Sequence, residues 1–281
     1  KSYVEYFNLI YIRQKMSLLK ILKKNELFFF ILKKFQNLLK FIIKKIIIFS
    51  GLDERISKIE HSLIYDLTPQ EFPWETYCLN GQKHRRNIIT KILTKIKFNL
   101  IIETGTEYGF STKYFSLYCD KVFSIEKSKP VFLIATKNLK DEKKIHLILN
   151  DSKNLDSILK VKNINFNSGD ATFFYLDAHS VDDYPLIEEI SFVLNKFKNF
   201  IMVIDDFQVP DDEGYGYDSH QGKKLNVKFI EKLLSRNDYI FFPNIKSSDE
   251  TGRLRGYTLI TNNIEFKNTL QMIKELTLFK F

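Results

Sequence analysis

Two short stretches hold the groups best able to do chemistry. Tyr175-Leu176-Asp177-Ala178-His179-Ser180 and Asp205-Asp206-Phe207 each close an apolar run. Three carboxylates at the ends of adjacent strands repel one another unless they are protonated or neutralised by a cation. All-oxygen ligation suits Mg²⁺, Mn²⁺ or Ca²⁺ better than zinc, so Asp177, Asp205 and Asp206 are the candidate metal ligands. The unperturbed pKa of a histidine lies near neutrality, so His179 is the candidate proton acceptor, with Asp177 as the alternative. A lone Asp-Asp pair is more often a helix cap or a surface turn. The four residues in one register point to a site.

A second group follows the apolar run Phe98–Thr104 and reads Glu103-Thr104-Gly105-Thr106-Glu107-Tyr108-Gly109-Phe110-Ser111-Thr112. Its G-x-x-x-G spacing differs from the G-x-G-x-x-G of dinucleotide enzymes, and it lacks the Gly-Lys-Ser/Thr of a P-loop. An acid in the turn would repel a pyrophosphate, whereas Glu103 suits a ligand with a positive amino end. Glu126 ends the next apolar run, about 21 residues beyond Gly105, where a carboxylate can accept both ribose hydroxyls. Asn150-Asp151-Ser152 follows a third run. Asp151 there either faces an adenine amino group or, like Ser152, caps the following helix.

The elements that must position these groups follow from periodicity. Short runs rich in Ile, Val and Phe at 98–104, 121–126, 145–149, 171–177 and 200–206 read as buried strands. Between them, 87–97, 111–118, 130–139, 151–159 and 185–197 read as helices. Five apolar strands alternating with helices predict a doubly wound α/β fold, a mostly parallel sheet covered on both faces. Ligands of such sheets sit beyond the carboxyl ends of the strands. After the fifth strand a polar loop, 209–224, precedes a helix at 225–234. "YIFFP" and "GYTLIT" then read as an antiparallel pair of strands.

The charge is uneven. Residues 1–50 hold eleven Lys or Arg against two acids, which accounts for the whole net charge of +9 and leaves 51–281 balanced. The basic character therefore belongs to an N-terminal extension, 1–50, and is no evidence that the main domain, 51–281, binds nucleic acid. The longest uninterrupted apolar run of the extension, Leu27–Leu32, is far shorter than the roughly 20 residues a spanning helix needs. Three readings stay open for it: a helix on an anionic membrane surface through residues 16–50, a helix packed on the protein body, or a non-native leader ahead of Met16. Cys78 and Cys119 form no disulfide framework and no zinc pattern. A cytoplasmic setting is the default, with peripheral attachment to the inner face of the membrane as its variant.

These residues, from about Gly81 to Thr261, resemble class I S-adenosylmethionine-dependent methyltransferases. The pattern is similar to the metal-dependent O-methyltransferases, a group that includes catechol, macrolide-sugar and cephalosporin-hydroxylase-like proteins. Asn80-Gly81-Gln82, Asp205-Asp206-Phe207-Gln208-Val209-Pro210 and Glu250-Thr251-Gly252-Arg253-Leu254-Arg255-Gly256 add to the likeness. The resemblance implies a seven-stranded, Rossmann-like sheet with a C-terminal antiparallel hairpin. It implies S-adenosylmethionine and Mg²⁺ or Mn²⁺ as cofactors, and O-methylation of a small-molecule or glycan hydroxyl. Glu103, Gly105, Thr106, Gly109 and Ser111 would surround the methionine end, Glu126 the ribose, and Asp151 with Ser152 the adenine. Asp177, Asp205 and Asp206 would hold the metal. Where the catechol-type pattern has a lysine three residues after the first metal aspartate, this chain has Ser180, so His179 is the substitute base. The loop Pro210–Lys224 would cover the site with Tyr215, Tyr217 and His220. Arg253 and Arg255 would meet an acidic acceptor, and Gln82 would line the entrance. The rival readings are a nicotinamide-dependent oxidoreductase, against which the glycine spacing argues, and a non-catalytic membrane-associated relative.

Overall fold

Period-two alternation along the central strands separates two cores. In a computed structural model that describes residues 74–162, 164, 169–178 and 184–280, β1 (Leu100–Thr104), β4 (Thr172–Leu176) and β5 (Phe200–Asp205) are buried at every position. Leu100, Ile102, Phe174, Leu176, Met202 and Ile204 face one core. Ile101, Phe173, Tyr175, Ile201 and Val203 face the other. Helices cover both faces, so the strands carry apolar residues on each side and read as unbroken apolar runs. α3 (Lys129–Asn138) follows the strand Val122–Glu126 in the chain. On the first face lie α4 (Leu155–Val161) and α5 (Leu186–Lys196), through Ile158, Ile190 and Val193. On the second lie α1 (Lys83–Lys95), α2 (Phe110–Phe115) and α6 (Ile264–Gln271), through Ile88, Phe115 and Leu270.

With β2 (Val122–Glu126), β3 (Ile145–Leu149), β6 (Tyr239–Pro243), β7 (Tyr257–Thr261) and β8 (Leu276–Leu278), the sheet runs β8-β6-β7-β5-β4-β1-β2-β3. The first five strands are mutually parallel. β7 lies antiparallel between β5 and β6. The strand order reverses between β1 and β4, which places the switch point where the glycine turn and Asp177 emerge. This is the doubly wound, mostly parallel α/β arrangement expected from the sequence, including the C-terminal antiparallel pair.

Three expectations change. The sheet has eight strands, because β8 adds an antiparallel edge to β6. The helix expected over 225–234 is one α-turn, Val227–Ile230, followed by a 3₁₀ turn, Glu231–Leu233. α1 begins four residues earlier than the apolar spacing suggested. Its first amides are satisfied from outside: the Glu250 carboxylate accepts the backbone N–H of His84 (2.9 Å) and of Arg85 (3.0 Å), an N-cap supplied from 166 residues away. The proposed boundary at residue 50, the basic segment 16–50 and His179 lie outside the described residues. Among the described residues no helix is long and apolar enough to cross a membrane.

Candidate functional site

The carboxyl ends of β1 to β5 open into one cavity of about 850 Å³, within the roughly 300–1,000 Å³ range of small-molecule pockets. Gly105, Glu126, Asp151, Ser152, Asp177 and Asp206 all line it. Six of the residues singled out in the sequence are thus brought to one space.

Glu126, at the end of β2, is half-buried, and its carboxylate accepts the backbone N–H of Glu107 (3.1 Å) and of Ser128 (2.7 Å). Loss of solvent raises its pKa despite these amides. Ile125 and Val131 place apolar surface beside it. At the end of β3 the capping reading of Asp151 is met. Asp151 caps the 3₁₀ turn Ser152–Asn154 by accepting the Lys153 amide (3.0 Å), while it also lines the cavity and pairs with Lys127 at 2.7 Å.

Gly105 has φ +81°, and a Cβ there would stand 2.4 Å from the backbone oxygen of Asp177. Any side chain would therefore separate the β1 turn from the β4 turn. The rest of the glycine segment differs from expectation. Glu103 does not line the cavity. It is 1% exposed and lies in register with Tyr175 of β4 and Ser124 of β2. Its Oε2 accepts the hydroxyls of Thr112 and of Ser124 (2.6 Å to Ser124). Burial pushes its pKa up to about 7, so it acts as a strut under the turn and not as a partner for a ligand's amine. Thr106 is buried against the Ser124 hydroxyl at 2.6 Å. Gly109 is the N-cap of α2, and the Ser111 hydroxyl accepts the Leu79 amide at 3.0 Å. None of these three faces the cavity; they brace its floor.

The acid cluster departs most from expectation. Asp205 is buried, and both of its carboxylate oxygens lie 2.7 Å from Nη1 of Arg85. Tyr175 donates its hydroxyl to Oδ2, Asn80 donates Nδ2 to the same oxygen at 3.0 Å, and the Asp206 amide donates to Oδ1. Asp206, held at φ +54°, pairs with Nε of Arg255, whose Nη2 reaches Asp218. The donor set does not fit a metal ion: guanidinium groups already supply the counter-charge, and the lone pairs of Asp205 are spent. No cluster of three or more His, Cys, Asp or Glu able to hold a metal occurs among the described residues. The expected ligands Asp177, Asp205 and Asp206 are thus not assembled around one point here, since Asp205 and Asp206 are each paired with an arginine. Asp177 lines the cavity. It is half-buried on the cavity wall, and loss of solvent, then Asp205 and Asp206, raise its pKa well above the usual carboxylate range.

Two motifs noted separately in the sequence interlock here. The Arg253 amide donates to the Asn80 carbonyl (3.0 Å), and the Thr251 hydroxyl accepts the Lys83 amide and donates to the Gly81 carbonyl. Gly252 has φ +72°, and a Cβ there would stand 2.2 Å from the Asn80 carbonyl oxygen. Asn80, Arg253 and Arg255 consequently form one wall of the cavity. Gln82 does not line the entrance; it is fully buried. Tyr215 is likewise a packing residue, 1% exposed, with its hydroxyl donated to the Ile245 carbonyl. From the 210–224 loop, His220 stacks on Tyr184 at 5.4 Å, and Lys224 lies over the Tyr217 ring.

Fold and site together define a doubly wound α/β protein with a nucleotide-sized cavity at its switch point. No protein-family model matches the chain, and no curated protein matches its sequence. Among solved structures it is similar to the O-methyltransferase from Bacillus cereus in complex with SAH (16% identity, 75% of this chain and 96% of the other, TM-score 0.47). It is also similar to an rRNA methylase from Streptococcus thermophilus (14%, 63% and 94%, 0.42) and to the N-methyltransferase NodS from Bradyrhizobium japonicum (10%, 68% and 97%, 0.42). These neighbours are class I methyltransferases, and their names span three kinds of acceptor.

Proposed function

We propose that this chain is an S-adenosylmethionine-dependent methyltransferase that acts on a hydroxyl of a sugar or other small acceptor. The observation that carries the reading is the single cavity joining the Gly105 turn, Glu126 and Asp177. Its donor set fits the cofactor. Glu126 has carboxylate lone pairs left to accept two ribose hydroxyls after binding the Glu107 and Ser128 amides. Ile125 and Val131 offer an apolar wall to a purine, with Asp151 and Ser152 at its edge. The Gly105 turn is left for the amino-acid end.

When bound, the cofactor supplies a methyl group on a sulfonium sulfur, which passes to the acceptor oxygen as the hydroxyl proton leaves. The chain's part is to hold the two in line, an effect worth several kcal/mol, and to receive the proton. Asp177 lines the same cavity as Gly105, Glu126, Asn80 and Arg255. Loss of solvent, then Asp205 and Asp206, raise the Asp177 pKa, which makes its carboxylate, where ionised, a stronger proton acceptor than an ordinary one.

The test is calorimetric. S-adenosylhomocysteine is expected to give a saturable heat with the full chain, Glu126→Ala to weaken it about tenfold or more, and NADH to give none. No heat with S-adenosylhomocysteine, or unaltered affinity in Glu126→Ala, overturns the reading.

A further inference from the structure

The cavity wall is acidic. Glu107, Glu126, Asp151, Asp177 and Asp206 face it, against Lys127, Arg253 and Arg255. Two of these three cations are spent: Lys127 pairs with Asp151 at 2.7 Å, and Arg255 bridges Asp206 and Asp218. Arg253 is exposed, and among the described residues no acid pairs with its guanidinium. Its backbone is nevertheless fixed. The Arg253 amide is bonded to the Asn80 carbonyl, and the neighbouring Gly252 is pressed against Asn80 and Gly81. Its charge reaches Tyr108 of the glycine turn, where it opposes the upward push from burial and Glu107. A free cation is therefore held on a rigid rim beside the turn that receives the amino-acid end of the cofactor.

That end carries one ammonium and one carboxylate. The wall offers many partners for the ammonium and one uncommitted partner for the carboxylate. Resting on the methyltransferase reading above, we propose that Arg253 binds the carboxylate of the methyl donor's amino-acid end and so selects donors that retain it. An arginine fork suits a carboxylate because two parallel N–H donors can meet its two oxygens.

The experiment compares S-adenosylhomocysteine with 5′-methylthioadenosine, a nucleoside thioether without the amino-acid end, by calorimetry on the full chain. Arg253→Ala is expected to weaken S-adenosylhomocysteine about tenfold or more and to leave 5′-methylthioadenosine unchanged, with Arg253→Lys intermediate. Because Arg253 is exposed, the variants should melt at the wild-type temperature, which a thermal scan checks. Unchanged S-adenosylhomocysteine affinity in Arg253→Ala overturns the assignment while leaving the cofactor reading intact. Equal weakening of both ligands also overturns it, since it marks a disturbed rim and not a lost carboxylate contact. Failure of the wild type to bind either ligand removes the cofactor reading and this assignment with it.

Discussion

Arg85 and Asp205, 120 residues apart in sequence, form an ion pair at 2.7 Å in which neither side chain has any solvent exposure. Taking two charges out of water costs several kcal/mol per ion, and the mutual attraction offsets it only with good geometry and further hydrogen bonds. Further hydrogen bonds surround the pair, while Nε of Arg85 is buried without a partner among the described residues. Tyr175, Asn80 and the Asp206 amide complete the carboxylate, while Arg85 donates to the carbonyls of Arg255 and Gly256 and lies 4.4 Å over the Tyr257 ring. Burial alone would lower the Arg85 pKa; Asp205, Tyr175 and Tyr257 together more than reverse this, so the guanidinium stays charged. The pair joins α1 to the end of β5 and, through Asn80, fixes a wall of the cavity.

Removing one partner strands the other charge. Arg85→Met is expected to destabilise the fold by about 3–5 kcal/mol, whereas Arg85→Met with Asp205→Leu should recover most of that loss. Urea unfolding of the two single variants and the double variant measures the coupling. A double variant no more stable than the worse single one would show that the neighbouring contacts, and not the charge pair, hold this corner.

The same arginines bear on metal binding. Arg85 and Arg255 neutralise Asp205 and Asp206, the two acids that a divalent ion would need. Mn²⁺ titrated into the full chain is expected to show no tightly bound population by electron paramagnetic resonance. EDTA is expected to leave the affinity for S-adenosylhomocysteine unchanged. Arg255→Ala takes the guanidinium away from Asp206 and Asp218 together and should create a weak Mn²⁺ site absent from the parent. Tight Mn²⁺ binding by the parent would mean that the arginines yield their places to the ion.

What could be read from the sequence follows from how each feature is encoded. β1, β4 and β5 were legible because burial on both faces writes an unbroken apolar run. The turn at Gly105 was legible as a turn, but its tightest neighbour is the Asp177 backbone, a contact that only the pairing of β1 with β4 creates. Glu103 was misplaced although a signal existed. Counting by twos from Ile101 puts Glu103 on the same inward face, whereas Glu107, past the strand, reaches the cavity. The role of Arg85 had no local signal, because Lys83-His84-Arg85-Arg86 looks like an ordinary polar helix start. Its partner is supplied by strand order alone. β8, three residues long, is too short to stand out by periodicity.

Two buried acids make stability depend on pH in a direction opposite to that of most carboxylates. Burial pushes Glu103 up to about 7, and it pushes Glu189 up to about 7 as well. The Glu189 carboxyl lies beside the hydroxyls of Ser152 and Thr104 without a well-formed hydrogen bond to either. From the ordinary value near 4.5 to about 7, the unfolded chain releases these protons while the native state keeps them. The native state then binds more protons, so stability falls as pH rises through this window, by on the order of 3 kcal/mol per group. Above the folded pKa the loss is complete; below the unfolded value it vanishes. Glu103→Gln keeps an acceptor for the Thr112 and Ser124 hydroxyls but has no proton to release. Its stability relative to the parent is therefore expected to improve from pH 5 to pH 8 when both are unfolded in urea. Parallel curves for the two proteins across that range would show that Glu103 is ionised in the native state, and that its two hydroxyl donors hold a charge and not a neutral carboxyl.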